Sequence, residues 1–221
     1  GYKNIMLLLL QYGKNVNMQA EYCGAAIHAA IARGHNDIIE ILLGYGVDVN
    51  AQDINCRTTI QEAVYKGNQE IIELLLRYSA NINAWSKDSA SAIQVAADHG
   101  KKDIIELLLK HGADINAHGG RIGTAIYAAT KRGFKDIVEL LLVFSINAKL
   151  SNEISEYYEI SVQTATAEGH RNIVEVNDTL NAQNGNDETT IHAAAVGGHK
   201  DIIELLLEYG ANVYAQSEFL L

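Results

Sequence analysis

This 221-residue sequence contains eight histidines, enough to supply the ligands of a metal site. Zinc sites use histidine and cysteine ligands at short, defined spacings. No histidine–cysteine pair of this chain stands at such a spacing. We therefore expect no bound metal and no cofactor.

Six glutamates recur at one position of a repeated segment and form an apparent ladder of carboxylates. General acid–base catalysis requires groups that converge on one reacting atom. Side chains at one position of successive repeats lie a packing distance apart instead, so we expect these to be solvated and not catalytic. They are Glu40, Glu73, Glu106, Glu139, Glu175 and Glu204.

Other signatures of catalysis are also missing from the sequence. It has no glycine-rich phosphate loop, no Gly-x-Ser-x-Gly turn and no His-Glu-x-x-His. Its two cysteines, Cys23 and Cys56, stand 33 residues apart at equivalent places. Stacked elements there would lie about 8–10 Å apart, beyond the ~7 Å reach of a disulfide. Because these motifs are missing, we predict that the chain is not an enzyme. Because the cysteines are too far apart to pair, we predict free thiols and an intracellular location, in the cytoplasm or nucleus.

Charge and hydropathy narrow the class of partner. The formal net charge is −10, opposite to the basic surface expected of a protein that binds nucleic acid or anionic membranes. The longest apolar run, residues 5–10, is far shorter than the ~20 residues that span a bilayer. We therefore predict a protein partner, with no nucleic acid and no membrane.

The elements that must position these residues repeat along the chain. The stretch DIIELLLKHGADIN from Asp103 returns as DIIELLLEYGANVY from Asp201, with looser copies elsewhere. Gly13, Gly46 and Gly112 fall on a 33-residue lattice in which serine takes the slot at 79. Self-similarity at this period is typical of a stacked repeat. A repeat array grows by addition, so we predict one continuous domain over 1–221.

Each full repeat predicts two helices. The first is short and alanine-rich, begins after a Thr or Ser N-cap, and ends at a left-handed glycine. The second begins with an acid or amide, which the helix dipole favours, and its Ile/Leu stripe supplies the core. The predicted N-caps are Thr58, Ser91, Thr124 and Thr189, the glycines are Gly34, Gly67, Gly100, Gly133, Gly169 and Gly198, and the second helices begin at Asp37, Glu70, Asp103, Asp136, Asn172 and Asp201.

Segments such as GAAIHAAIARGH (24–35) and ETTIHAAAVGGH (188–199), with helices ending in LLLKHGADINA, resemble the ankyrin repeat. Its consensus runs TPLHxAAxxGH and then LLxxGADVNA. The segment GTAIYAA is also similar to arrays in fungal multidomain proteins. The chain has no proline, so the TPLH proline is replaced, for example by Ala92, which forfeits preorganisation at the first helical position.

The resemblance implies an all-α repeat solenoid of stacked helix-turn-helix ankyrin units with projecting β-hairpin or loop fingers and a concave groove. It also implies that His28, His35, His170, His192 and His199 bridge backbone and neighbouring repeats by hydrogen bonds. The chain opens within a repeat, so we expect a piece of a longer protein. The predicted divisions are a partial unit 1–19, units 20–52, 53–85, 86–118, 119–149, 155–183 and 184–216, and a tail 217–221.

Two shortened joints, at 140–148 and 173–182, make the unit 155–183 irregular. Its second helix is cut short after Val176, and Ile160 occupies its cap position. Nearest-neighbour interfaces carry the stability of a repeat array, so we predict that this unit opens before its neighbours.

For function, the resemblance implies a protein–protein interaction scaffold, the recognition or regulatory array of a larger protein. The variable positions of the family fall on the finger tips and the inner end of the first helix. Tryptophan, tyrosine and arginine, the residue types enriched at interface hot spots, occur there. Packing of Trp85 and Tyr65 between fingers is the alternative explanation. The predicted partner contacts, which favour an acidic or mixed-charge surface, are Tyr22, Ile54, Arg57, Tyr65, Trp85, Lys87, Arg121 and Lys131.

Three asparagines indicate an alternative function for the chain. Asn50, Asn83 and Asn116 match the asparagine that ankyrin arrays present to asparaginyl hydroxylases, so the chain could be a substrate or accessory domain of such an enzyme. A hydrogen bond within the finger explains the same residues without modification.

Overall fold

The computed structural model describes residues 26–85, 90–117, 124–147, 162–174 and 194–208. The chain divides into two compact units, Gly1–Thr124 and Ala125–Leu221. In the described part of the first unit, helices follow one another in pairs. They are α1 (Ala26–Ala32), α2 (Asn36–Gly44), α3 (Thr59–Lys66), α4 (Gln69–Arg77), α5 (Ala92–Asp98) and α6 (Lys102–Lys110).

The first unit is held together by stacking of equivalent helices. The short helices α1, α3 and α5 contact one another in sequence, and each packs against the longer helix that follows it. The longer helices bury the predicted Ile/Leu stripe, as Ile39, Leu75 and Leu108 show with no exposed surface. Full burial of such a side chain contributes about 1.5–3 kcal/mol. The core therefore runs between the two helical layers of each repeat.

The predicted ends of the first helices are confirmed where the structure describes them. Thr58 and Ser91 are the N-caps of α3 and α5. Their N–H groups donate to Gln61 Oε1 at 2.7 Å and to Gln94 Oε1 at 2.6 Å. All six predicted terminal glycines have positive φ, between 67° at Gly100 and 80° at Gly67. Thr189 lies outside the described residues.

The second helices begin one residue earlier than predicted, at Asn36, Gln69 and Lys102 in the first unit. The residue before each is the N-cap, and Asn68 Oδ1 accepts the Ile71 N–H at 3.1 Å. The acids still lie in the first turn, where the helix dipole favours them. Glu40, Glu73, Glu106 and Glu204 are exposed and Glu139 is half-buried, whereas Glu175 lies outside the described residues.

Loops that we call fingers connect each second helix to the next first helix. They comprise 45–58, 78–85 and 111–117. Among the described residues, the only β-pairing of these fingers is an isolated antiparallel bridge between Gln52 and Thr58, so they are loops and not extended hairpins. Cys56, at the tip of the first finger, is an exposed free thiol in a left-handed conformation (φ 58°). Cys23 lies outside the described residues.

In the second unit, α7 (Ala125–Lys131) packs against α8 (Lys135–Asn147). Residues 162–167, 171–174 and 194–197 are helical, and α9 (Lys200–Glu208) follows. Val176 and Ile160 lie outside the described residues, so early opening of the unit 155–183 stays a prediction.

Histidines join successive repeats of the second unit, as predicted. The His170 ring covers Gly133 and bonds through Nε2 to the Lys131 carbonyl at 3.3 Å. His199 likewise covers Gly169 and bonds to the Ala167 carbonyl at 3.1 Å. His192 lies outside the described residues.

Candidate functional site

Arg57 connects the tip of the first finger to α3 through ion pairs with two carboxylates. Its Nη2 and Nε atoms lie 2.9 Å and 3.0 Å from Asp53 Oδ2. Its Nη1 atom lies 2.9 Å from Oε2 of Glu62, which is in the first turn of α3. The guanidinium is thus engaged on two sides by carboxylates of its own chain. Arg57 was predicted to face a partner, but its charge is already compensated within the molecule.

Asp53 organises the fingertip through the same carboxylate. Its Oδ1 accepts the N–H groups of Asn55 at 2.8 Å and Arg57 at 2.9 Å. Burial raises the pKa of Asp53, but these two N–H groups and the Arg57 guanidinium outweigh burial and hold the pKa below its ordinary value of 3.8. The tip is therefore fixed in place by an ionised side chain at neutral pH.

Tyr65 of α3 lies beside two cationic side chains, one from the preceding finger and one from α3 itself. The Arg57 Cζ atom lies 5.9 Å and the Lys66 Nζ atom 5.5 Å from the ring centroid, within cation–π range. The centroid of the His99 ring lies 5.0 Å from the centroid of the Tyr65 ring, and the interplanar angle of 82° makes the pair T-shaped. Lys66 Nζ also lies 3.6 Å from Glu62 Oε1. We call Asp53, Arg57, Glu62, Tyr65, Lys66 and His99 the Tyr65 cluster.

Two further exposed apolar residues lie on the fingers that adjoin α3. Ile54 is at the fingertip between Asp53 and Arg57. Trp85 follows Ala84, whose carbonyl accepts Gln61 Nε2 of α3 at 2.8 Å. The exposed fractions of Ile54, Trp85 and Tyr65 are 61%, 56% and 45%. Tryptophan and tyrosine are residue types enriched at the hot spots of binding interfaces.

The structure therefore places four of the predicted contacts on α3 and its two adjacent fingers. These are Ile54, Arg57, Tyr65 and Trp85. Lys131 belongs to the second unit, where its Nζ lies 5.9 Å from the Tyr127 ring centroid. Tyr22, Lys87 and Arg121 lie outside the described residues, so their role stays a prediction.

Sequence reasoning missed Glu62, Lys66 and His99. The signal for Glu62 was present, because it occupies a repeat position that holds Ala29, Val95 or Ala128 in other repeats. An acid at a position that is otherwise apolar indicates a paired carboxylate. Glu62 is indeed buried and lies against Arg57 and Lys66.

The three candidate asparagines lie on the fingers and bond across or along them. Asn50 Oδ1 accepts the Asn81 N–H of the next finger at 2.7 Å. Asn83 Oδ1 accepts the Asp114 N–H at 2.8 Å, and its Nδ2 donates to the Gly112 carbonyl at 3.2 Å. The Asn116 N–H donates to Asp114 Oδ1 at 2.9 Å. These side-chain bonds account structurally for Asn50 and Asn83, whereas the bond of Asn116 is made by its backbone N–H. Hydroxylation of the three asparagines stays a prediction.

His28 and Gln61 share one role at equivalent repeat positions. His28 Nε2 bonds to the Ala51 carbonyl at 2.8 Å, as Gln61 does to Ala84. Each bond joins a first helix to the finger that follows the same pair of helices. The predicted hydrogen bond from His28 to backbone is present, but it lies within the unit 20–52 and does not reach a neighbouring repeat.

Among the described residues, no three His, Cys, Asp or Glu side chains are grouped so that they could hold a metal ion. No helix in the described ranges combines the length and apolar character needed to cross a bilayer.

Pairs of antiparallel helices that stack on equivalent pairs and project loop fingers define a helical repeat protein. The family model described as "Ankyrin repeats (3 copies)" matches residues 27–119 and 118–217. The chain belongs to the ankyrin repeat family, an all-α repeat fold. Ankyrin repeats generally mediate protein–protein interaction and are typically non-catalytic. A search of curated proteins finds no match.

Proposed function

We propose that this chain is a protein-interaction scaffold, a recognition or regulatory array that binds its partner through α3 and the two adjacent fingers. The observation that carries the proposal is the joint exposure of Ile54, Tyr65 and Trp85 on this framework. Tryptophan and tyrosine are enriched at interface hot spots. Arg57 contributes chiefly by fixing the fingertip, because Asp53 and Glu62 already bind its guanidinium.

The experiment compares proteins captured from cell extract by the wild type, Trp85→Ala, Tyr65→Ala and Tyr45→Ala. Tyr45 is an exposed tyrosine at the end of α2 and serves as the matched control. We expect a partner that the wild type and Tyr45→Ala retain and the other two variants lose. With the purified partner, Trp85→Ala should weaken binding by at least ~2 kcal/mol, the size of a hot-spot effect.

Thermal unfolding separates binding from packing. The melting temperature should be nearly unchanged in Trp85→Ala, because more than half of this side chain is exposed. If Trp85→Ala instead lowers the melting temperature by several degrees and still captures the partner, Trp85 is a packing residue and the proposed surface is wrong.

A further inference from the structure

The two cations of the Tyr65 cluster face solvent, whereas its two carboxylates do not. The Arg57 and Lys66 side chains are 37% and 40% exposed, against 9% for Asp53 and 8% for Glu62. A docking segment therefore meets guanidinium and ammonium edges before it can reach a carboxylate. In a chain of net charge −10, this is a locally cationic contact point.

Glu62 holds these cations in place before any partner arrives. The same two side chains that lie near the Tyr65 ring also lie near the Glu62 carboxylate. Without that carboxylate, the positive charges of Arg57 and Lys66 beside the Tyr65 ring would repel each other. Because they are already positioned, less side-chain freedom is lost when a partner binds. Glu62 is therefore a positioning residue for the surface.

Building on the proposed function, we propose that this surface binds an acidic segment of a partner protein that also carries an apolar anchor. The partner carboxylate contacts the outer edges of Arg57 and Lys66. The apolar side chain packs on Tyr65, Ile54 and Trp85. A nucleic acid fits less well, because two exposed cations can contact only a short stretch of phosphates and the net charge of −10 repels a long polyanion.

The test uses a displayed library of random tryptophan-free peptides selected on the wild type. Peptides that also bind Trp85→Ala are removed. Since Trp85 is the only tryptophan of the chain, its fluorescence reports binding of each synthesised peptide directly. We expect the Trp85-dependent peptides to carry Asp or Glu beside an aromatic or aliphatic residue.

Charge variants then test the contact itself. Lys66→Gln should weaken binding of an acidic peptide about threefold to fivefold, the upper range for one exposed charge pair. Lys66→Arg should restore binding. Lys110→Gln, which removes an exposed charge at the end of α6, should leave it unchanged and serves as the matched control.

Each other outcome overturns a definite part of the proposal. If the Trp85-dependent peptides are basic or uncharged, the acidic chemistry is wrong but the binding surface stands. If no peptide depends on Trp85, the proposed surface and this inference both fail. If single-stranded oligothymidine binds and displaces the peptides, the surface takes a nucleic acid instead of a protein segment.

Discussion

Ser79 and Ser145 occupy equivalent positions in two repeats, yet one lies beyond the end of a helix and the other lies inside one. Ser79 follows α4 with a left-handed φ of 65°. Ser145 lies within α8, and its Oγ donates to the Leu141 carbonyl at 2.8 Å. As a result α8 has 13 residues and α4 has 9. The identity of this one residue does not decide where the helix ends.

The residues that follow explain the difference. After Ser79 the chain enters a finger, where the Ala80 N–H bonds to the Leu75 carbonyl at 3.0 Å. The Asn81 N–H then bonds to Asn50 Oδ1 of the preceding finger at 2.7 Å. Ser145 is followed by Ile-Asn-Ala, which lacks this finger sequence. Finger bonds thus offset the left-handed conformation of Ser79, which costs about 1–2 kcal/mol.

The largest effect is expected when a link between fingers is removed. Asn83→Ala deletes the bonds to the Asp114 N–H and the Gly112 carbonyl. Each hydrogen bond contributes about 1 kcal/mol net, so the free energy of unfolding should fall by about 2 kcal/mol. Urea denaturation followed by Trp85 fluorescence measures the change in the first unit.

Asn55→Ala is the matched control for Asn83→Ala. Asn55 is an exposed fingertip asparagine, and its backbone N–H, which the substitution keeps, makes its bond to Asp53. It should leave stability nearly unchanged. Equal losses in both variants would show that bonds between fingers do not stabilise the repeats.

The same substitution at the two serines should have opposite effects of intermediate size. Ser79→Gly relieves a left-handed side chain and should stabilise the protein by about 0.5–1 kcal/mol. Ser145→Gly places glycine inside a helix and should destabilise it by about 0.5–1 kcal/mol. Circular dichroism during urea denaturation measures both. If both variants are stabilised, or both are destabilised, the different roles assigned to Ser79 and Ser145 are wrong.

The repeat fold was predictable because its rules are local. Each first helix is followed by a glycine that adopts the left-handed conformation, and α3 and α5 begin directly after the N-caps Thr58 and Ser91. The continuation of α8 through Ser145 was not predicted. The helix continues because the shortened joint lacks the finger residues whose hydrogen bonds end α4 near Ser79.

The candidate surface was predictable in position but not in its electrostatics. Repeat alignment identified Ile54, Tyr65 and Trp85, and all three are exposed. It could not show that Arg57 forms ion pairs with Asp53 and Glu62, since the ion pair with Glu62 depends on how the fingertip folds back onto α3. A contact between two segments is set by tertiary structure, which spacing within one segment does not encode.

The smallest effect is expected from a change of pH. It tests whether the ionised Asp53 side chain at the fingertip stabilises the first unit in addition to the hydrogen bonds between fingers. The pKa of Asp53 is lower in the folded chain than its ordinary value of 3.8. The unfolded chain therefore takes up the proton first as pH falls. The stabilising contribution is complete above the unfolded pKa and disappears as pH falls through the lower folded pKa.

Below about pH 4 the free energy of unfolding should decline, and Asp53→Asn should make that decline shallower. Urea denaturation across this range, with exposed Glu106→Gln as the control, measures it. A decline of the same slope in wild type and Asp53→Asn would show that the fingertip carboxylate does not stabilise the first unit.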